Sequence, residues 1–269
     1  MIKRIWLLSG IGEGPIIAEK FIGLGFCVSV SVVSDNAALA YEDIELENLW
    51  IGEVGGQKQI SQLIKKHKKI GKSFDFVVDG THPFAEQISE YLRKACKELE
   101  QPLVRYVRPY EKKYSCVKYL PNIDFLRSYD LKNENILIAL GSKKLVKTVE
   151  ILVETGATLY ARLLPTRESY LNALKSGFPE SNFALIKPSK DKFSGYIEEA
   201  LCEKWEITSI ICKQSGGFTE KLWTKIAIKK KIKLYLISRP IYDDYCPTFT
   251  DVNQIEVLFS EPTKKNYEF

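Results

Sequence analysis

Histidine is scarce in this chain, with His67 and His82 the only two, and the six cysteines include no Cys-x-x-Cys pair. Cys27, Cys96, Cys116, Cys202, Cys212 and Cys246 do not cluster with either histidine, so a structural zinc site is not expected. Most of these thiols lie in apolar stretches such as Ile210-Ile211-Cys212, where a free cysteine acts as a small core residue. Reduced cysteines fit the cytosol. Long hydrophobic runs are also missing: none approaches the roughly 20 residues that cross a bilayer. The apolar run Ile5-Trp6-Leu7-Leu8 stops at Ser9-Gly10, so no secretion signal is expected and the location expected is the cytoplasm.

Neither sign of charge dominates. The 39 basic residues face 34 acidic ones, a net charge of +5, which favours neither a nucleic acid nor a membrane as partner. Two basic runs, residues 65–69 and 229–233, suit helix C-terminal ends, where cations complement the helix dipole. Contact of either run with a phosphate-rich ligand is the alternative.

The chain has 45% hydrophobic and 27% charged residues, enough apolar material for a substantial core. Its 269 residues exceed a typical domain of about 100 to 200 residues, which favours two domains. Short apolar runs at residues 5–8, 27–33, 74–78 and 103–107 alternate with helical patterns at 15–23, 57–68 and 85–98. The runs lack period-two alternation, as strands of a parallel sheet do when helices cover both faces. An irregular stretch follows, with a strand expected near 115–119 and a short helix near 123–129. A second alternating series then predicts strands at 136–140, 158–163, 183–186, 209–213 and 234–238. Its helices are expected at 142–154, 168–176, 194–205 and 218–230, with a last one from Asp251. The polar stretch 130–134 is the expected linker, which gives two α/β domains, 1–130 and 131–269.

Ligands of open parallel sheets sit at the carboxyl ends of the strands. The first strand runs into Ser9-Gly10-Ile11-Gly12-Glu13-Gly14-Pro15, a glycine loop before a helix, with Pro15 where a dinucleotide fingerprint has glycine or alanine. Asp35 follows the second strand, as a ribose-binding acid or as a turn and capping residue. The third strand ends in Asp79-Gly80-Thr81-His82-Pro83-Phe84. Pro83 suits the first turn of the next helix, Thr81 suits its cap, and His82 suits contact with a ligand, the alternative being a purely structural turn. Arg105, Arg108 and Tyr110 come next and suit an acidic ligand, or a solvated surface.

In the second half, Gly141-Ser142-Lys143-Lys144 repeats the strand, glycine and helix-start arrangement with two lysines, which suits a phosphate. Arg162 closes another strand, Lys213-Gln214-Ser215-Gly216-Gly217 a further one, and Arg239-Pro240 the next. Cations and paired glycines recurring at one sheet edge predict a binding cleft rather than unrelated turns.

These segments together resemble the precorrin-6A reductase family, which includes the cobalt-precorrin-6A reductases of cobalamin biosynthesis. The carriers are residues 7–13, Gly52-Glu53-Val54-Gly55-Gly56, residues 78–85 with Thr81-His82-Pro83-Phe84, residues 105–109, Leu140-Gly141-Ser142, Arg162, Lys213 to Gly217, and Arg239-Pro240. Ser9, Ile11 and Ser142-Lys143 depart from residues common in the family.

The resemblance implies two doubly wound, Rossmann-like parallel-sheet domains with a ligand cleft between them. It implies an NADPH-dependent oxidoreductase acting on a carbon–carbon double bond of precorrin-6A or cobalt-precorrin-6A, to give the 6B dihydro product. Ser9, Gly10, Gly12, Glu13, Gly141, Ser142 and Lys143 are then the expected cofactor contacts. Thr81, Pro83, Arg105, Arg108, Arg162, Lys213, Ser215, Gly216, Gly217 and Arg239 would line the cleft, the cations facing the macrocycle's carboxylates. His82 would orient the substrate or relay a proton, with bulk water as the alternative source. A reductase of another acidic tetrapyrrole and a non-catalytic nucleotide-binding module are the competing readings.

Overall fold

The computed structural model describes residues 2–187, 195–241 and 245–259. The chain divides into two compact units: one joins the segment up to Pro109 with the segment from Pro240 onward, and the other is Tyr110–Arg239.

The first unit begins with β1 (Arg4–Ser9), α1 (Gly14–Gly23), β2 (Cys27–Val32), α2 (Asp35–Ala38) and β3 (Asn48–Ile51). It continues with α3 (Gln57–Lys69), β4 (Phe76–Gly80), α4 (Glu86–Glu98) and β5 (Leu103–Tyr106). Along β1, Ile5 and Leu7 pack with Ile17 and Phe21 of α1 and with Val28 and Val30 of β2. Trp6 and Leu8 pack instead with Ile60 and Ile64 of α3 and Leu92 of α4. Burial on both faces is the reason the run is apolar at every position. Pro15 stands in the first turn of α1, where its missing N–H has no helical partner to lose. The Gln59 side chain turns back to accept the Gly56 amide at 3.1 Å, which fixes the start of α3.

The second unit contains β6 (Val117–Leu120), β7 (Asn135–Ala139), α5 (Leu145–Leu152), β8 (Thr158–Leu163) and α6 (Arg167–Lys175). It goes on through β9 (Phe183–Leu185), α7 (Tyr196–Lys204), β10 (Ser209–Lys213), α8 (Phe218–Lys230) and β11 (Lys233–Ile237). Leu137, Ile210, Cys212, Leu234 and Leu236 pack against Trp223 and Ile226 of α8 and Trp205 after α7. The chain then returns to the first unit with β12 (Thr248–Phe249) and α9 (Gln254–Phe259).

The strand pairings are parallel in both sheets, ordered β12-β5-β4-β1-β2-β3 and β6-β11-β10-β7-β8-β9. Each is the doubly wound order, whose direction reverses between β1 and β4 in one sheet and between β7 and β10 in the other. The outermost strand of each sheet is exchanged. β6 follows β5 in the chain yet pairs with β11 at the edge of the second sheet, while the first sheet takes β12 from the chain's far end. A boundary near Asp130 therefore does not describe the division: Asp130 lies inside the second unit, and the last residues described belong to the first.

Other differences are local. The third strand is Phe76–Gly80 rather than 74–78, because Asp79 stays in the sheet opposite Arg105 of β5. The short edge strand β3 and the two-residue β12 had no expected counterpart. The helix expected over 142–154 is a 3-10 turn at Ser142–Lys144, then α5, then a 3-10 turn at Val153–Thr155. The expected short helix at 123–129 is a 3-10 segment, Ile123–Ser128, capped by Asn122. Of the helix expected over 194–205, Ser194 lies outside the described residues and α7 begins at Tyr196. No helix among the described residues is long and apolar enough to cross a membrane.

Candidate functional site

In the first unit the loops after β1 and β4 meet where the strand order reverses. The Gly10 amide donates to the Gly80 carbonyl at 2.9 Å, and a Cβ on Gly10 would stand 3.0 Å from the His82 nitrogen. Glycine at 10 thus lets the two loops touch through their backbones. Gly14 has a different reason. A Cβ there would fall 2.0 Å from Ser9 Oγ and 2.2 Å from the Tyr41 hydroxyl, and Tyr41 donates to Ser9 Oγ at 2.6 Å. Ser9 is therefore engaged inside the fold by a residue that sequence spacing could not link to it. Burial pushes the Tyr41 hydroxyl up to about 12, so it remains a donor.

Glu13 caps the chain entry to α1 without a side-chain capping bond and instead receives Arg108. Arg108 Nε lies 2.9 Å from both carboxylate oxygens, and Nη2 lies 2.5 Å from one of them. Two residues expected to meet separate ligands therefore form a two-point pair with each other. The pair ties the loop after β1 to the end of β5.

Arg105 is turned inward. It is 3% exposed and Asp79 is 0% exposed. Its Nη1 donates to Asp79 Oδ2, to Ser89 Oγ at 2.7 Å and to the Tyr245 hydroxyl at 3.3 Å. Asp79 Oδ1 accepts the Thr81 amide at 3.0 Å, and Thr81 Oγ1 lies 2.9 Å from Ser89 Oγ. Arg105 and Thr81 are accordingly parts of a buried network that holds the loop after β4, in place of the open cleft-lining positions expected of them. Thr81 does not cap a helix, and Pro83 stands in a turn. α4 starts only at Glu86, after Ala85, with no side-chain cap. Above this network His82 is half-buried, and its Nδ1 accepts the Phe84 amide at 3.2 Å. With Nδ1 accepting, the neutral ring carries its proton on Nε2 and offers a donor.

In the second unit Gly141 ends β7 with φ 82° and ψ 164°, a backbone conformation open essentially to glycine alone. It turns the chain into Ser142, Lys143 and Lys144, with both lysines exposed. On the neighbouring strand, Lys213 is the last residue of β10 and is half-buried. Burial first, and then the Lys144 charge, bring the Lys213 ammonium down to about 8.

The loop after β10 folds over a carboxylate of its own. The Gly216 amide donates to Glu220 Oε2 at 2.6 Å, and the Ser215 amide joins it. Ser215, Gly216 and Gly217 are buried, and Gly216 takes φ 65°. The close approach expected between these glycines and an anionic ligand is thus taken up by Glu220, itself 1% exposed. Burial raises the Glu220 carboxyl while these amides and the Arg239 charge oppose the rise. Glu220 is the third residue of α8, a position from which glutamate reaches back to the amides before a helix, so the sequence did carry a signal for it. The Arg239 guanidinium stacks 4.1 Å from the centre of the Tyr110 ring, and the Arg239 amide donates to Gln214 Oε1 at 3.3 Å.

Arg162 faces α7 rather than the loops. Its Nη2 lies 3.3 Å from Glu198 Oε1 with both side chains almost wholly buried, and burial lowers the guanidinium while Glu198 supports its charge. Of the cations expected at the sheet edges, Lys143, Lys144 and Lys213 are the ones that gather beside a glycine turn at the switch point of the second sheet.

Known proteins resemble the chain over nearly its whole length. A cobalt-precorrin-6A reductase of Synechocystis is 27% identical over 244 residues, covering 89% of each chain. One from Priestia megaterium is 28% identical over 262 residues, covering 92% of this chain and 96% of that one. The solved structure described as CobK precorrin-6A reductase superposes with a TM-score of 0.74 at 18% identity, covering 96% of both chains, and supports the fold. The family model described as precorrin-6x reductase CbiJ/CobK matches residues 4–259, and the chain belongs to that family.

Proposed function

We propose that the protein reduces a carbon–carbon double bond of a precorrin-6A macrocycle with NADPH, giving the 6B dihydro product in cobalamin biosynthesis. The observation that carries this reading is the family match over residues 4–259. The names of the Synechocystis and Priestia relatives favour the cobalt-containing substrate. Six free cysteines favour work in the reducing cytoplasm.

A reductase of this family requires a hydride donor, and two features fit a phosphorylated nicotinamide coenzyme. The first is α1, whose leading amides have no side-chain cap and follow the glycine loop at the reversal point of the first sheet. The second is the turn at Gly141–Lys144, where exposed Lys143 and Lys144 supply positive charge for a phosphate. Asp35, after β2, opens α2 behind the Ser34 cap and brings negative charge, so of the two features we assign the coenzyme's phosphates to the lysine-bearing turn. When bound, the coenzyme supplies the hydride. Within the first unit, Glu13 and Arg108 fix the loop after β1, and the Asp79–Arg105 network fixes the loop carrying His82. His82 Nε2–H then donates to an acceptor on the macrocycle.

The test is an anaerobic assay of purified protein with NADPH and either precorrin-6A or its cobalt form. Coenzyme oxidation coupled to formation of the dihydro product is expected with at least one. Absence of turnover with both overturns the reading.

A further inference from the structure

We propose that a groove along α8 of the second unit is a ligand site of its own, and that it takes a flat molecule bearing several carboxylates. The inference goes beyond the reductase reading and does not depend on it. The groove has a volume of about 430 Å3, within the range of small-molecule sites. One wall is α8 from its second turn to its last, and the other is the start of the segment that leads into β6. All of its residues belong to the second unit, and none lies in the loops after β7 and β10.

Helical spacing arranges the charges. Lys221, Lys225 and Lys229 recur at every fourth residue and so share one face of α8, with ~6 Å of helix rise between neighbours. All three are exposed and line the groove. Lys221 meets Glu111 at 3.3 Å and Lys229 meets Glu199 at 2.7 Å. Both lysines stand in solvent, where such pairs are weak and yield readily to a competing anion. Among the described residues no acid pairs with Lys225, the middle of the row.

The rest of the lining is largely apolar. Exposed Tyr114 and Ile228 present a ring and a branched side chain to the groove, with the buried Thr224 beside them. The wall opposite α8 is held in place: Tyr110 stacks on Arg239 at 4.1 Å, and the Tyr114 carbonyl accepts the Val117 amide at 3.1 Å. The groove is therefore built before a ligand arrives, which lessens the ordering that binding must impose. A bare phosphate would use the lysines and leave the apolar surface wet, while a neutral apolar molecule would leave Lys225 unpaired. A flat body with carboxylates at its edge covers the ring and the branched side chain and reaches the ammoniums together.

The test titrates the full chain with biphenyl tetracarboxylate by calorimetry, beside butane tetracarboxylate, which has the same charge and no flat body. The biphenyl acid should bind at least several-fold more tightly than the butane acid. Lys225→Glu should weaken its binding about 10-fold or more, and Ile228→Asp should weaken it in the same direction, while both variants keep the wild-type circular dichroism. No binding by wild type overturns the inference, as does equal binding by wild type and Lys225→Glu. Equal affinity for the two acids overturns it too, since the groove is then a row of solvated lysines. Binding of polyglutamate but of neither small acid overturns it in favour of an acidic protein partner. None of these measurements uses NADPH or turnover, so failure of this site and failure of the reductase reading are told apart.

Discussion

Arg105 and Asp79 stand opposite each other on adjacent strands and form an ion pair from which water is excluded. Removal of one partner leaves a buried charge without its counterion, which costs about 3 to 5 kcal/mol. Asp79→Asn and Arg105→Met should each lower the unfolding free energy measured by urea titration by an amount of that order. The double variant should lose less than the sum of the two, because neither charge is then stranded.

His67 is 7% exposed, stacks on Phe74 at 4.7 Å between ring centres, and meets Trp50 edge-on at 5.5 Å. Burial, helped by Lys66, Lys72 and Arg4 against Glu47, lowers its pKa from the usual 6.5. A lowered folded value means that the unfolded chain binds the proton first. The stability contributed by neutral His67 is therefore complete above about 6.5 and lost as pH falls below it. Urea midpoints measured from pH 7 to pH 5 should decline more steeply in wild type than in His67→Phe.

Gly14 and Gly141 are glycines for different reasons, and alanine distinguishes them. At Gly14 the added methyl meets Ser9 and Tyr41, and overpacking of this kind costs about 1 to 3 kcal/mol. At Gly141 no atom lies within 4 Å of the added Cβ, so the cost is that of the backbone conformation alone, about 1 to 3 kcal/mol. Gly141→Ala should also weaken NADPH binding, followed by nicotinamide fluorescence, if that turn holds a phosphate.

His82→Ala should reduce kcat/KM about 10-fold or more, while loss of the Nδ1 bond to the Phe84 amide should cost about 1 kcal/mol of stability. Anaerobic turnover and urea unfolding measured on the same preparation check both halves. A large loss of stability with unchanged kinetics would return His82 to the role of a turn residue.

Much of the fold was legible because a strand covered on both faces is apolar throughout. That rule locates β1, β2, β8 and β10 to within a residue or so. It fails where a strand is short or at an edge, as in β3 and β12, and where a tertiary partner neutralises a charge, as Arg105 does for Asp79 in β4. The glycine loops were legible as loops, but their internal occupants were not. Nothing in the local sequence ties Tyr41 to Ser9, Ser89 to Arg105, or Arg108 to Glu13, since each pair closes only when separate strands and helices assemble. The basic runs at residues 65–69 and 229–233 do fall at the C-terminal ends of α3 and α8, where their charge suits the helix dipole.

The exchanged outer strands have a consequence for synthesis on the ribosome. When β5 emerges, the segment that will lie beside it has not yet been translated, and the next strand to appear, β6, is destined for a different sheet. An open parallel edge must therefore wait through the whole of the second unit, exposed to mispairing with β6 or with another nascent chain. Cutting the gene between β6 and β7 would leave each half holding the closing strand of the other's sheet.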